Sequence, residues 1–266
     1  MPMSALTLGV NLDDLRLPVK EALRRASDLG FREVEFGAFA GELTPESLSE
    51  SGRRHFLKTL EGLNLRAAAL VADMPQIRWT DAARVEERVA RTQRVIDLAA
   101  DLGVRIVTTS IGAVTHPESG EPSPAAMETL RQLCDHADRR GRILALRPTY
   151  DAGERLRRVF REINCAALKI TLDPAVLVMT GSNPMPMIES FPEDIALVYG
   201  RDGTAGGHDR PGEETRIGGG DVDFAELLGA LEDAGFRGSM VLRRATSQTP
   251  LVDVEAGRAI LARFIS

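Results

Sequence analysis

The sequence predicts one (β/α)8 barrel, an α/β fold filling residues 1–266 as a single domain. Three observations carry this. Short apolar runs of strand length alternate with stretches of helical periodicity, and the pair repeats about eight times along the chain. A residue that tolerates the left-handed conformation closes most helical stretches: Gly30, Gly62, Gly103, Gly141, Asn164 and Gly235. The strand-like runs are nearly continuous in apolar character, as expected when both faces of a parallel sheet are covered. A doubly wound open sheet uses the same units, but no GxGxxG follows the first strand, so the barrel is preferred.

The units follow in order. Residues 6–10 read as the first strand, and Pro18 opens a helix with Val19, Leu23, Ala26 and Leu29 on one face. Residues 31–36 form the second strand, and Pro45-Glu46 starts a helix that runs to Gly62. Residues 65–71 are the third strand, ending near Asp73; Thr80 caps a long helix carrying Val85, Val89, Ile96 and Ala100. Residues 104–108 are the fourth strand. Ser123-Pro124 is a cap followed by proline at the first helical position, ahead of Met127, Leu130, Cys134 and Ala137. The fifth strand, residues 142–146, precedes a helix over 153–163. Residues 168–172 and 195–199 are strands six and seven, with a short helical piece near 186–190 between them. A Gly-rich loop, 202–220, leads to a helix with Phe224, Leu227, Leu228 and Leu231 in register. Strand eight is 239–242, and the last helix spans about 253–264.

Composition narrows the function classes. A net charge of −6 argues against a nucleic-acid surface, which needs a basic face. No apolar run approaches the roughly 18 residues of a membrane span. The N-terminal residues lack the basic-then-apolar order of a signal peptide, so a cytoplasmic protein is expected. Cys134 and Cys165 sit in predicted helices, belong to no CxxC pair, and are expected to be reduced core residues. Of 33 basic residues, all but Lys20, Lys58 and Lys169 are arginine, so arginine at any one position is weak evidence by itself.

Barrel chemistry sits at the C-terminal ends of the strands. Strand five ends in Arg147, a cation where a carboxylate would be expected, and strand eight ends in Arg243-Arg244. Four stretches then resemble a known family. Gly218-Gly219-Gly220-Asp221-Val222-Asp223-Phe224, with Leu227-Leu228, Leu231 and Gly235-Phe236-Arg237-Gly238, is similar to the G-x-G-x-[IV]-D-[FW] segment of the xylose isomerase-like TIM barrels. Leu172-Asp173-Pro174, Tyr199-Gly200-Arg201-Asp202-Gly203 and residues 29–35 resemble that family's motifs at strands six, seven and two. The family includes sugar and sugar-phosphate isomerases and epimerases and inosose dehydratases.

The resemblance implies a divalent metal held by Glu, Asp, His and Glu from strands five to eight, with flanking carboxylates moving a proton. Carried over singly, those positions fall on Arg147, Asp173, Tyr199 and Arg243, and a further family histidine falls on Val176. One ligand in four remains, so the metal is expected to be lost and no cofactor is expected. The expected catalytic residues are Arg147, Asp173, Tyr199, Arg243 and Glu35. The expected substrate contacts are Arg201, Asp202, His116, His208 and Asp73. The expected partner is a small anionic sugar-like molecule, with no nucleic acid, no membrane and a possible homo-oligomer.

Two readings of the arginines stay open. In the first, Arg147, Arg201 and Arg243 converge to bind an anion and stabilise a developing oxyanion, with a carboxylate as base and Tyr199 as acid. In the second, each arginine pairs with a carboxylate, Arg147 with Asp173 and Arg243 with Glu35 or Asp202, and the barrel is catalytically inactive or a small-anion sensor. A slip of the strand ends would exchange Arg243 and Arg244, which face opposite ways. Trp79 is a candidate apolar wall, His55 and His136 are expected to be structural, and the three glycines 218–220 could accept a phosphate at a helix start. A nuclease resembling the family's apurinic endonuclease relatives is disfavoured by the acidic chain and by the absence of histidine at the matched ligand positions.

Overall fold

The computed structural model describes residues 6–73, 84–116, 118–148, 153–207 and 210–265. Eight strands close into a parallel barrel: β1 (Thr7–Asn11), β2 (Glu33–Gly37), β3 (Arg66–Val71), β4 (Ile106–Thr109), β5 (Ile143–Leu146), β6 (Leu168–Leu172), β7 (Ile195–Gly200) and β8 (Ser239–Leu242). Each strand pairs with its sequence neighbours. The ring closes where Thr7, Leu8, Gly9 and Val10 of β1 lie beside Ser239, Met240, Val241 and Leu242 of β8. The helices between the strands are α1 (Val19–Asp28), α2 (Glu50–Gly62), α3 (Val85–Asp101), α4 (Pro124–Arg139), α5 (Gly153–Ile163), α6 (Pro174–Met179), α7 (Met185–Ser190), α8 (Phe224–Asp233) and α9 (Pro250–Ile265).

Strand alternation sorts the side chains into two sets. Val10, Val34, Phe36, Leu70, Val107, Leu144, Ile170, Val198 and Met240 join the large core between sheet and helices. Ala68, Ala69, Leu197, Tyr199 and Val241, with Ile106 against them, form a separate small cluster. Asn11, Glu35, Thr108 and Thr171 share the inward parity with Tyr199 and are at most 1% exposed, so the barrel interior is part apolar and part polar.

Local signals place these elements. Gly141 closes α4 with φ of 61°, and Asn164 closes α5 with φ of 49°. Gly62 is the last residue of α2 and not its stop; the left-handed residue is Asn64, at φ of 55°. α2 also starts later than Pro45-Glu46 suggests, because the Ser49 hydroxyl accepts from the Gly52 N–H at 3.2 Å and caps it there. Cys165 lies beyond α5 and not within it. α6 was hidden in the sequence; its cap is Asp173 itself, which accepts from the Val176 N–H at 3.2 Å. The Gly-rich stretch is partly regular, since Asp202–Thr204 and Glu213–Thr215 pair as an antiparallel ribbon. Thr80 and Trp79 lie outside the described residues. Among the described residues no helix is long and apolar enough to cross a membrane.

Candidate functional site

The polar interior begins one layer beneath the C-terminal mouth. Glu35, on β2, is fully buried. Its Oε1 accepts from the Tyr199 hydroxyl at 2.9 Å and the Thr108 hydroxyl at 3.4 Å, and its Oε2 accepts from Asn11 Nδ2 at 2.7 Å. Burial raises the Glu35 carboxyl above its ordinary value, against the opposing pull of the Arg243 charge and of the Asn11 and Tyr199 hydrogen bonds. Burial also raises the Tyr199 phenol, and the neighbouring Glu35 adds to the rise.

The guanidiniums form the next layer up. Arg243 clasps Asp14 with two hydrogen bonds, Nε to Oδ2 at 2.9 Å and Nη2 to Oδ1 at 3.3 Å, and its Nη1 reaches Glu35 Oε2 at 3.5 Å. Its Cζ sits 5.0 Å from the centre of the Tyr199 ring, and that of Arg147 sits 5.8 Å from it. Arg147 continues the β5 pairing, its N–H donating to the Thr109 carbonyl at 2.8 Å. Its Nη2 bonds the Asp73 carboxylate, whose other oxygen accepts from the Ser110 N–H at 2.7 Å. Arg201 bridges Asp173, at 3.0 Å, and Glu214, at 2.8 Å. Burial opposes the charge on Arg147, Arg201 and Arg243, but Asp73 and Tyr199 beside Arg147, Asp173 and Glu214 beside Arg201, and Tyr199, Asp14 and Glu35 beside Arg243 outweigh it and hold all three above the ordinary arginine value.

Seven of the expected residues therefore meet: Arg147, Asp173, Tyr199, Arg243, Glu35, Arg201 and Asp73. Arg243, not Arg244, faces the interior; Arg244 turns to Asp253 and Glu214. Arg147 takes Asp73 in place of the expected Asp173, and Arg243 takes Glu35 as expected, with Asp14 besides. Asp202 does not join the group. It is fully buried, and its two oxygens accept from the N–H groups of Gly203, Gly218, Gly220 and Val222 at 2.8–3.2 Å, which folds the Gly-rich turn around it. His116 stays in its own exposed loop, where its Nδ1 accepts from the Ser119 N–H at 3.4 Å. His208 lies outside the described residues. His136 is tied to Asp97 at 2.9 Å on the helical shell.

Sequence reading missed Asn11, Asp14, Thr108 and Glu214. Asp14 sits in the short turn directly after β1, a strand end that deserved the same scrutiny as the others. Glu214, on the ribbon, is 1% exposed at its side chain. It accepts from Arg201, from the N–H groups of Ala245 and Thr246, and from the Thr246 hydroxyl at 2.6 Å. It ties the loops after β7 and β8 together.

The residues at the four matched ligand positions do not fit a divalent cation. Arg147 and Arg243 bring positive charge, Tyr199 gives its hydroxyl to Glu35, and both Asp173 oxygens are engaged by Arg201 and the Val176 N–H. Among the described residues no group of three or more His, Cys, Asp or Glu side chains could hold a metal ion.

The family model described as xylose isomerase-like TIM barrel matches residues 23–264. No curated protein matches the chain in sequence. Among solved structures, a xylose isomerase domain protein from Planctomyces limnophilus superposes with a TM-score of 0.83 at 19% identity, covering 99% of this chain and 97% of that one. The IolI protein with a bound zinc atom gives 0.77 at 18% identity over 98% of both chains. A probable 3-DHS dehydratase, AsbF, from Bacillus anthracis gives 0.77 at 14% identity, covering 97% and 99%. At these identities the likeness is one of fold. With the family model spanning nearly the whole sequence, the chain belongs to the xylose isomerase-like TIM barrel family, whose fold serves sugar isomerases, epimerases and dehydratases.

Proposed function

We propose that the protein is a metal-independent relative of the sugar isomerases and epimerases, acting on a small sugar or sugar acid at its arginine-lined mouth. The observation that carries this is the placement of Arg147 and Arg243, two guanidiniums held by carboxylates over a buried Tyr199–Glu35 pair where the family's metal ligands would stand. A fixed guanidinium supplies positive charge to an oxygen that becomes an oxyanion when a proton leaves the neighbouring carbon. Removing one such donor typically costs about 10²–10³ in kcat. Asp73 is the base we assign, because its side chain is 18% exposed beside Arg147, whereas that of Asp173 is sealed at 0%. Glu35 and Tyr199 support the arginines from beneath.

A second reading rests on one fact. Glu35 and Tyr199 have no exposed surface, so in this arrangement neither touches a ligand. That favours a catalytically inactive barrel that binds a small anion as a sensor or partner protein.

Exchange measurements separate the two. Sugars, sugar phosphates and sugar acids that raise the melting temperature in the presence of a chelator are incubated with the protein in D2O. The enzyme reading expects deuterium at a carbon next to a carbonyl, lost in Asp73→Asn and reduced in Arg147→Ala. Binding without exchange establishes the second reading. Stoichiometric metal on the purified protein, released together with Asp173→Ala, would overturn the metal-independent assignment.

A further inference from the structure

The mouth has a wall that the proton chemistry does not use. On β2, Glu35 points inward to Tyr199, and Phe36 points outward, where its ring meets Phe56 of α2 edge-on at 5.2 Å. Alternation aims position 37 inward again, one layer above Glu35. That position is Gly37, and two groups fill the space its side chain would take. A Cβ there would lie 2.9 Å from Asp13 Oδ2 and 2.9 Å from Phe39 Cε1. Asp13 is fixed at this spot, because its Oδ2 accepts from the Gly37 N–H at 2.6 Å.

Both groups are accessible, unlike the layer beneath. Asp13 is exposed and Phe39 partly exposed, whereas Glu35 and Tyr199 are fully buried. Phe39 stays outside the hydrophobic core that takes in Phe31, Phe36 and Phe56. The Asp13 residue is open to solvent, but its carboxyl end is crowded enough that burial raises it above its ordinary value, against the Gly37 hydrogen bond. Arg243 is already shared between Asp14 and Glu35, and among the described residues Asp13 forms no ion pair. In the strand order, β1 and β5 are four strands apart whichever way the ring is followed. The turn after β1, which carries Asp13, therefore stands across the mouth from Arg147.

We propose that Asp13 and Phe39 form the end of the site that receives a neutral, hydroxyl-bearing part of the ligand and excludes phosphate. A carboxylate accepts hydrogen bonds from hydroxyls and donates none, and its charge repels a phosphate. The Phe39 ring offers an apolar surface to the C–H groups of a polyol. The assignment rests on the proposed sugar site and deepens it. The carbonyl or carboxylate of the ligand goes to Arg147 and Asp73, and the polyol tail crosses to Asp13 and Phe39.

The test is the affinity of four probes by ligand-observed NMR, with a chelator present and at mildly alkaline pH, where Asp13 is ionised. The probes are D-fructose, D-gluconate and the terminal phosphate ester of each. In the wild type each ester should bind more weakly than its parent by about tenfold or more. Asp13→Asn removes the charge but keeps an acceptor for the Gly37 N–H. It should weaken both parents by about tenfold, the loss of a charge-assisted hydrogen bond, and narrow the gap to the esters. A merely structural role for Asp13 would not narrow that gap. Phe39→Leu keeps the apolar bulk and removes the ring, and should weaken both parents several-fold. Melting curves check that each variant is folded. Esters that bind as tightly as their parents, parent affinities unchanged in either variant, or no binding of any probe would each overturn the proposal. The result is separable from the exchange measurement. Deuterium uptake with unchanged affinities in the variants sinks this assignment and keeps the enzyme reading. The expected affinities without deuterium uptake keep the assignment and leave a binding protein.

Discussion

Replacing Arg243 by alanine tests whether the mouth is held by its ion pairs. The arginine is 15% exposed at its side chain, and its partners Asp14 and Glu35 are 7% and 0% exposed. Breaking a buried pair typically costs about 3–5 kcal/mol, because the remaining charge is left uncompensated. Two features pull the figure down here. Glu35, already raised by burial, can take a proton, and Asp14 keeps the Arg244 N–H at 2.9 Å. One pulls it up, since the guanidinium also covers the Tyr199 ring, a contact of about 0.5–2 kcal/mol. The expectation is a loss of about 3 kcal/mol in urea unfolding at neutral pH. Asp14→Asn alone should cost a similar amount. Combined, the two should cost less than their sum, with a coupling of about 1–2 kcal/mol. A loss below about 1 kcal/mol for Arg243→Ala, or simple additivity with Asp14→Asn, would refute the reasoning. Arg243 would then be a solvated cation with accidental neighbours.

Four further expectations follow from the structure. The folded-state pKa of Glu35 is raised above the ordinary 4.5, so its titration favours the folded state below that value and the benefit is lost as pH rises through the folded pKa. The unfolding free energy of wild type minus that of Glu35→Gln should therefore fall as pH rises from about 4.5 towards neutrality, and a flat or rising difference would contradict the assignment. Asp202→Asn keeps the shape but sets an NH2 against two backbone N–H donors, which should cost about 2–4 kcal/mol in thermal or urea melts. Gly220→Ala should destabilise by about 1–3 kcal/mol, because its Cβ would lie 2.2 Å from Asp202 Oδ1 and 2.5 Å from the Gly203 carbonyl oxygen; Gly229→Ala, with nothing within 4 Å in the exposed face of α8, should stabilise by about 0.5–1 kcal/mol.

The barrel was legible because its signals are local. Apolar strand runs, helical periodicity and left-handed stops at Gly141, Asn164 and Gly235 each act within a few residues. The errors were local too. Gly62 drew attention as a stop two residues before Asn64 took that role, and α6 was missed because Asp173 was read as a site residue and not as a cap. The inward direction of Arg147, Asp173, Tyr199, Arg201 and Arg243 follows from period-two alternation, and counting strands was enough to gather them. Their partners were not recoverable in the same way. Asp73 is 74 positions from Arg147, and Asp14 is 229 positions from Arg243. Strand position brought Asp73 to the mouth and could have brought Asp14, but nothing short-range in one sequence pairs either carboxylate with its arginine.

Asp202 shows how the same residue type divides between the two kinds of work. It follows directly on Arg201 and sits in the stretch that resembles a family motif, and the sequence therefore suggests a substrate contact. In the fold its inward neighbour Arg201 takes the mouth, and alternation sends Asp202 the other way, into the turn at Gly218–Gly220. A carboxylate that accepts four backbone N–H groups has no oxygen lone pair in reach of a ligand. Its value is to hold the Gly-rich turn against the ribbon that carries Glu214, and Glu214 in turn fixes Arg201 beside Asp173. The motif's aspartate thus reaches the site through two intermediaries. Arg201 depends on it for its placement, through Glu214.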